Sequence, residues 1–166
     1  KVEKGTAKDI DAECLAYEEA IKKYGGVDLF LGGTGVNGHV AFNEPGSPPN
    51  SRTRKVALSP STIRVNSRFF DNDLSKVPFE ALTVGIGTIL DARELLILIN
   101  GAPKMTALQN MVEEPTSQFW PITAVSSHAS SIVVCDEEAA GELRVKTYNY
   151  FKHIEKDNLD PQTQLR

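Results

Sequence analysis

The sequence predicts a doubly wound α/β fold with a mostly parallel sheet. Three observations carry that prediction. Helix-like and strand-like segments alternate along the 166 residues. The segment 95–99 is apolar at every position, as a strand covered on both faces should be. A glycine-rich stretch follows the first strand-like run, where open α/β sheets hold their ligands.

The elements follow in order. Residues 9–24 place Ile10, Cys14, Leu15, Tyr17, Ile21 and Tyr24 at mostly helical spacing, and Gly25-Gly26 ends that helix. Residues 27–31 form an apolar run bounded by glycines, which reads as a buried strand. The glycine loop 32–38 comes next, then an irregular stretch through Pro49. Residues 52–58 alternate charged and apolar side chains and read as an edge strand, and 61–70 as a helix with Ser59 or Ser61 near its N-cap. Residues 81–85 read as a second core strand, 88–92 as a helical turn and 95–99 as a third strand. A helix at 103–112 is closed by Pro115, and 131–135 is the fourth strand. Asp136 then caps a long final helix to about Lys156, and 157–166 is a frayed polar tail. The chain opens at Lys1 and enters a helix before any strand. That order predicts an earlier strand in a longer protein. The sheet is then incomplete at its N-terminal side, and residues 1–156 form the C-terminal part of a single α/β domain.

Composition narrows the function. Hydrophobic residues make up 40% and charged residues 24%, which excludes a disordered chain. Eighteen basic against 22 acidic residues leave a net charge of −4, without the basic field that nucleic acid requires. The longest apolar runs are too short to span a bilayer, and no secretory leader is visible. A cytoplasmic protein without nucleic-acid or membrane partners is expected. Cys14 and Cys135 lack metal-type spacing and read as reduced, half-buried thiols. No metal site is expected.

The loop after the first strand is the richest in chemistry. Gly33, Gly35 and Gly38 match G-x-G-x-x-G, but Pro45, Gly46, Pro48 and Pro49 forbid the long helix that a dinucleotide site needs. What the glycines supply is exposed backbone N–H groups and room for a ligand. His39 exchanges protons near neutral pH, and Glu44 in the same loop can orient it and raise its pKa. Arg68 and Lys104 are candidate anion ligands, Lys104 lying at the start of a helix after the third strand. Arg52 and Arg54 share one face of the edge strand, where anion binding and pairing with surface acids are equally open readings. His128 and His153 read as structural or solvated, and Phe69, Phe70, Phe119 and Trp120 as core.

The run Gly-x-Asn-Gly-His-Val-Ala-Phe-Asn-Glu-Pro-Gly-Ser at 35–47 resembles the signature of glucosamine-6-phosphate deaminases. So do Ser51-Arg52-Thr53-Arg54, Asn66-Ser67-Arg68-Phe69-Phe70 and Ala81-Leu82-Thr83-Val84-Gly85-Ile86-Gly87-Thr88, with further matches at 9–14 and 134–136. The resemblance covers nearly the whole chain in order. It implies a Rossmann-like fold and conversion of glucosamine 6-phosphate and water to fructose 6-phosphate and ammonia, in amino-sugar catabolism, without a cofactor. By the resemblance, His39 is the acid/base that opens the sugar ring, supported by Asn37 and Glu44. Gly33, Ala41, Arg68 and Lys104 contact the substrate and its phosphate. Ser47, Arg54 and Tyr150 match an allosteric site that looks eroded, because Pro48 lacks an N–H and Val56 and Ala57 replace polar residues. The expected partner is a small sugar phosphate, and a homo-oligomer is compatible.

Two departures stand out. The family has Asp where this chain has Asn37, and Asn cannot hold a protonated His39 as a charged neighbour would. The family's N-terminal portion, with the carboxylate that moves the C1/C2 proton, has no counterpart here. Two other functions therefore stay open: a sugar-phosphate-binding homologue with weakened catalysis, and an enzyme resembling 6-phosphogluconolactonase.

Overall fold

The computed structural model describes residues 9–158. Along it run α1 (Ile10–Lys23), β1 (Leu29–Gly33), β2 (Arg54–Ala57), α2 (Pro60–Asn66), β3 (Glu80–Thr83), α3 (Ile86–Leu90), β4 (Glu94–Ile99), α4 (Met105–Glu113), β5 (Ser131–Cys135) and α5 (Val145–Ile154). The expected α/β class holds. β1, β4 and β5 form a parallel sheet in the order β1-β4-β5, with Leu31 opposite Leu96 and Ile97 opposite Val133. The tail expected at 157–166 lies outside the described residues apart from Asp157 and Asn158.

Alternation along the strands sets the core. Leu95, Ile97 and Ile99 point to one face and are at most 2% exposed. They pack with Ile86 and Ile89 of α3, Leu108 and Met111 of α4, and Ile122 and Val125 of the 3₁₀ turn Pro121–Ser127. Each such side chain contributes about 1.5–3 kcal/mol by leaving water. The expectation of a strand covered on both faces is corrected: among the described residues, Leu98 (47% exposed) and Ile132 (61%) lie open on the opposite face, with Leu29, Leu31 and Val134.

The second core strand expected at 81–85 is also corrected. β3 pairs antiparallel with β2 in a separate two-stranded sheet, Val56 opposite Ala81. Gly85 marks its end. Its Cα lies so close to Ser51 that a Cβ would stand 1.9 Å from the Ser51 carbonyl oxygen, and the chain turns there into α3 instead of running on. The edge strand read at 52–58 is β2, its partner.

The long final helix is broken. The Asp136 carboxylate accepts from the Ala139 N–H (2.8 Å) and the Gly101 N–H (2.9 Å), but it starts only the 3₁₀ turn Ala139–Glu142. Leu143 is extended, and α5 begins after Arg144, whose N–H donates to Glu113 Oε1 at 2.8 Å. The helix expected at 61–70 is α2, capped by the Ser59 hydroxyl, followed by the 3₁₀ turn Ser67–Phe69.

α1 starts where Asp9 accepts from the Ala12 N–H and ends before Gly25 and Gly26, both at positive φ. Its apolar stripe does not seat it: Leu15, Tyr17 and Tyr24 are exposed, and the buried residues are Cys14 and Glu18. Glu18 takes over that task. Its carboxylate accepts from Arg52 Nη2 (2.6 Å), the Thr53 N–H (2.8 Å), Thr53 Oγ1 (2.5 Å) and Thr88 Oγ1 (2.6 Å). Burial pushes its pKa up, but the hydrogen bonds from Thr53, Thr88 and Arg52 outweigh it and hold the pKa at about 2. The pairing ties α1 to β2 and α3. Cys14 is buried and Cys135 exposed, both as free thiols, which corrects the half-buried reading. Phe69 and Phe119 are exposed rather than core, Phe69 lying on the outer side of its turn under the Arg68 guanidinium (4.8 Å to the ring centre).

Candidate active site

β1 delivers the glycine loop to the carboxyl end of the sheet, as the alternating order requires. The loop closes on itself: the Gly35 N–H donates to the His39 carbonyl (2.9 Å), and the Gly38 N–H to the Gly35 carbonyl (3.0 Å). Thr34 Oγ1 donates to the His39 carbonyl as well (3.0 Å). The His39 ring lies over Gly35, where a Cβ would stand 2.1 Å from the ring's Cε1. Gly38, at φ +77°, leaves room for Trp120, whose Cε3 would lie 2.6 Å from a Cβ there.

Asn37 joins His39 to Glu44. Its Nδ2 donates to Glu44 Oε2 at 2.7 Å, and its Oδ1 stands 2.7 Å from His39 Nδ1. An ionised Glu44 only accepts, so the carboxamide must turn its nitrogen to Glu44 and its oxygen to His39. His39 Nδ1 then carries the proton, and Nε2 holds the lone pair. Glu44 Oε1 accepts from the Thr62 hydroxyl and from Ser59 Oγ (3.1 Å). Burial pushes the Glu44 carboxyl up, but donation by Thr62, Asn37 and Ser59 and the nearby His39 bring it below the ordinary range. His39 departs from the sequence expectation. Glu44 raises its pKa as expected, yet burial and the Lys104 charge prevail, and the imidazole lies below its ordinary value.

His39 lines an open cleft of about 520 Å³ with Gly32, Gly33, Thr34, Ala41 and Lys104. Lys104 immediately precedes α4 and donates Nζ–H to the Thr34 carbonyl at 2.7 Å. Burial and the neighbouring Arg68 charge both lower its pKa. Among the described residues neither Lys104 nor Arg68 has a carboxylate in ion-pair contact. A cation in the cleft, Lys104, with a second, Arg68, near enough to act on its charge, suits an anion. Ala41 stands at φ +52°, an uncommon conformation for a residue with a Cβ. Loop and β3 are joined by the Phe42 N–H to Thr83 Oγ1 (3.0 Å).

Comparison with known proteins supplies the kinship of this arrangement. The model of the family "Glucosamine-6-phosphate isomerases/6-phosphogluconolactonase" matches residues 1–134. The chain belongs to that family. A glucosamine-6-phosphate deaminase of Bacteroides fragilis is 57% identical over 162 residues, which cover 98% of this chain and 60% of the relative. A solved glucosamine-6-phosphate deaminase, described as monomeric, superposes with a TM-score of 0.80 at 41% identity, covering 84% of this chain and 57% of that one. The 6-phosphogluconolactonase of Trypanosoma cruzi shares the fold at a TM-score of 0.60 and 21% identity, covering 80% of this chain and 51% of that one. This chain thus spans about 60% of the length of the curated relatives it matches.

Within this member of the family, the residues expected for an allosteric site divide. Ser47 Oγ lies 3.2 Å from Arg54 Nη2, and burial lowers the Arg54 pKa. Tyr150, on α5, is exposed and meets the Phe151 ring edge-on instead. Sequence reasoning missed Asn43, which is 0% exposed. Its Nδ2 donates to the carbonyls of Val40 (2.9 Å) and Val84 (2.8 Å), and its Oδ1 accepts from Arg54 (2.8 Å). It also missed Thr62 as a partner of Glu44 and knew Ser59 only as a helix cap. No spacing rule joins residues 15 and 18 positions apart across an irregular loop. His128 is structural, its Nε2 2.8 Å from the Ala92 carbonyl, and His153 is exposed.

Proposed function

We propose that this chain serves a glucosamine-6-phosphate deaminase and supplies the ring-opening half of its chemistry. The observation that carries this reading is the relay from Glu44 through Asn37 to His39 at a cleft that also holds Lys104. His39 Nε2 takes the proton of the sugar's C1 hydroxyl; the bond between C1 and the ring oxygen breaks as the C1 carbonyl forms. The same nitrogen returns the proton to the freed ring oxygen. Glu44 and Asn37 hold the imidazole in the tautomer that begins this cycle. Arg68 and Lys104 bind the phosphate, and the backbone at Gly33 and Ala41 lines the sugar. The site lies in a cytoplasmic enzyme and takes a small sugar phosphate. Family relatives named glucosamine-6-phosphate deaminase support the substrate.

The proton transfer between C1 and C2 needs a further carboxylate, and no residue of this chain matches it. The 166-residue chain alone therefore has negligible deaminase activity. The test is release of ammonia and fructose 6-phosphate from glucosamine 6-phosphate, by this chain and by the full-length protein that carries it. Turnover by the full-length protein only is expected. Binding of the sugar phosphate without turnover in either would select the binding homologue, and hydrolysis of 6-phosphogluconolactone would select the lactonase.

A further inference from the structure

Glu44 is held from two sides by different parts of the chain. Oε2 faces the glycine loop and accepts from Asn37 (2.7 Å). Oε1 faces α2 and accepts from Thr62 Oγ1 and Ser59 Oγ. Thr62 is 6% exposed, and its hydroxyl proton goes to this carboxylate. The Thr62 N–H is used elsewhere, donating to Ser59 Oγ at 3.2 Å to cap α2. The helix cap is therefore complete without the Thr62 hydroxyl, which serves the carboxylate.

We infer that Thr62 is a positioning residue: through Glu44 and Asn37 it fixes which nitrogen of His39 carries the proton. The inference rests on the proposed role of His39. An ionised carboxylate anchored at Oε1 presents Oε2 to the Asn37 amide nitrogen, and that contact turns the amide oxygen to His39. Without the anchor the carboxylate rotates, the amide loses its reason to face one way, and both imidazole tautomers become populated. The charged groups facing His39 are Glu44 from its own loop and Lys104 from the start of α4, with Arg68 beyond Lys104. α2 runs straight into the turn Ser67–Phe69 that carries Arg68. One short segment thus holds both a proposed phosphate ligand and the anchor of the proton relay.

The test is two-bond ¹H–¹⁵N NMR of the imidazoles in the 166-residue chain, which reads the His39 tautomer without substrate. In the parent chain at neutral pH, His39 should be protonated at Nδ1. Thr62→Val, which keeps the shape and removes the hydroxyl, should lower the Nδ1–H to Nε2–H ratio by about fivefold or more, and Thr62→Ser should restore it. Ser59→Ala removes the weaker donor to the same oxygen and should move the ratio in the same direction by less. That variant gives the answer if Thr62→Val does not fold. An Nε2–H tautomer in the parent chain, or a ratio unmoved in both variants, overturns the inference. Neither outcome depends on ammonia release. Absence of deaminase turnover in the full-length protein would overturn the proposed function and leave the tautomer result standing.

Discussion

The Asn37 carboxamide nitrogen stands 2.7 Å from Glu44 Oε2 and its oxygen 2.7 Å from His39 Nδ1, so Asn37 is occupied on both sides, by a carboxylate and by an imidazole. Asn37→Asp would set two carboxylate oxygens at that separation. Like charges so close hold a proton between them, and the pair should release it at higher pH than Glu44 does alone. Once that proton leaves, the added negative charge beside Nδ1 should raise the His39 pKa from its depressed position. In the full-length protein the acid limb of the pH–rate profile should move upward, and turnover should rise about tenfold if about 1.4 kcal/mol of barrier is recovered. Ammonia release measured against pH for the two proteins checks this, and a flat or lower rate for the variant refutes it.

Among the described residues, Lys104 reaches the cleft with only the Thr34 carbonyl as hydrogen-bond partner. Lys104→Ala should weaken binding of glucosamine 6-phosphate by about 1.5–3 kcal/mol, the worth of a hydrogen bond to a charged group, and binding of glucosamine far less. Calorimetric titration of both ligands decides; equal losses would reject a phosphate role.

Glu18 has a folded-state pKa of about 2 against an ordinary 4.5. Its contribution to stability is complete above the ordinary value and is lost as pH falls toward 2. The shift corresponds to a contribution on the order of 3 kcal/mol. Urea unfolding between pH 3 and 7 should show a decline at the acid end that is shallower in Glu18→Gln, whose stability should already be lower at neutral pH. Parallel pH profiles for the two proteins would contradict the assignment.

His39 rests directly on Gly35, within 2.1 Å of where a Cβ would lie. Gly35→Ala should displace the imidazole, break its contact with Asn37 and abolish turnover in the full-length protein. Ala41→Gly goes the other way. It relieves a left-handed backbone worth about 1–2 kcal/mol, and thermal unfolding should show the gain less the glycine's extra chain entropy.

Much of this could be read from residue order. β1, β4 and β5 sit within two residues of their expected positions because short apolar runs bounded by glycines or polar residues leave few alternatives. The loop carrying His39 and Glu44 was legible because prolines 45, 48 and 49 rule out the competing helix. What escaped depended on distant backbone. β3 pairs with β2 outside the core sheet, and no local pattern records that partner or the approach of Ser51 to Gly85, 34 positions away. Asn43 reads as one more polar loop residue, yet it is fully buried and bridges Val40, Val84 and Arg54. α1 misled for a different reason: its hydrophobic spacing is genuine, but a charged residue, Glu18, makes the attachment.

Burial lowers the Lys104 pKa, and the like charge of Arg68 lowers it further, so the two cations repel each other. Folding therefore confines two like charges that the unfolded chain keeps apart. A dianion that settles between them binds only the folded form, and by mass action it raises the melting temperature as its concentration passes its dissociation constant. At a hundredfold excess over that constant the gain is about 2.7 kcal/mol. Inorganic phosphate should thus act as a thermal protectant of the 166-residue chain while chloride at equal ionic strength does not. A melting curve then tests whether phosphate occupies the proposed subsite without any need for turnover.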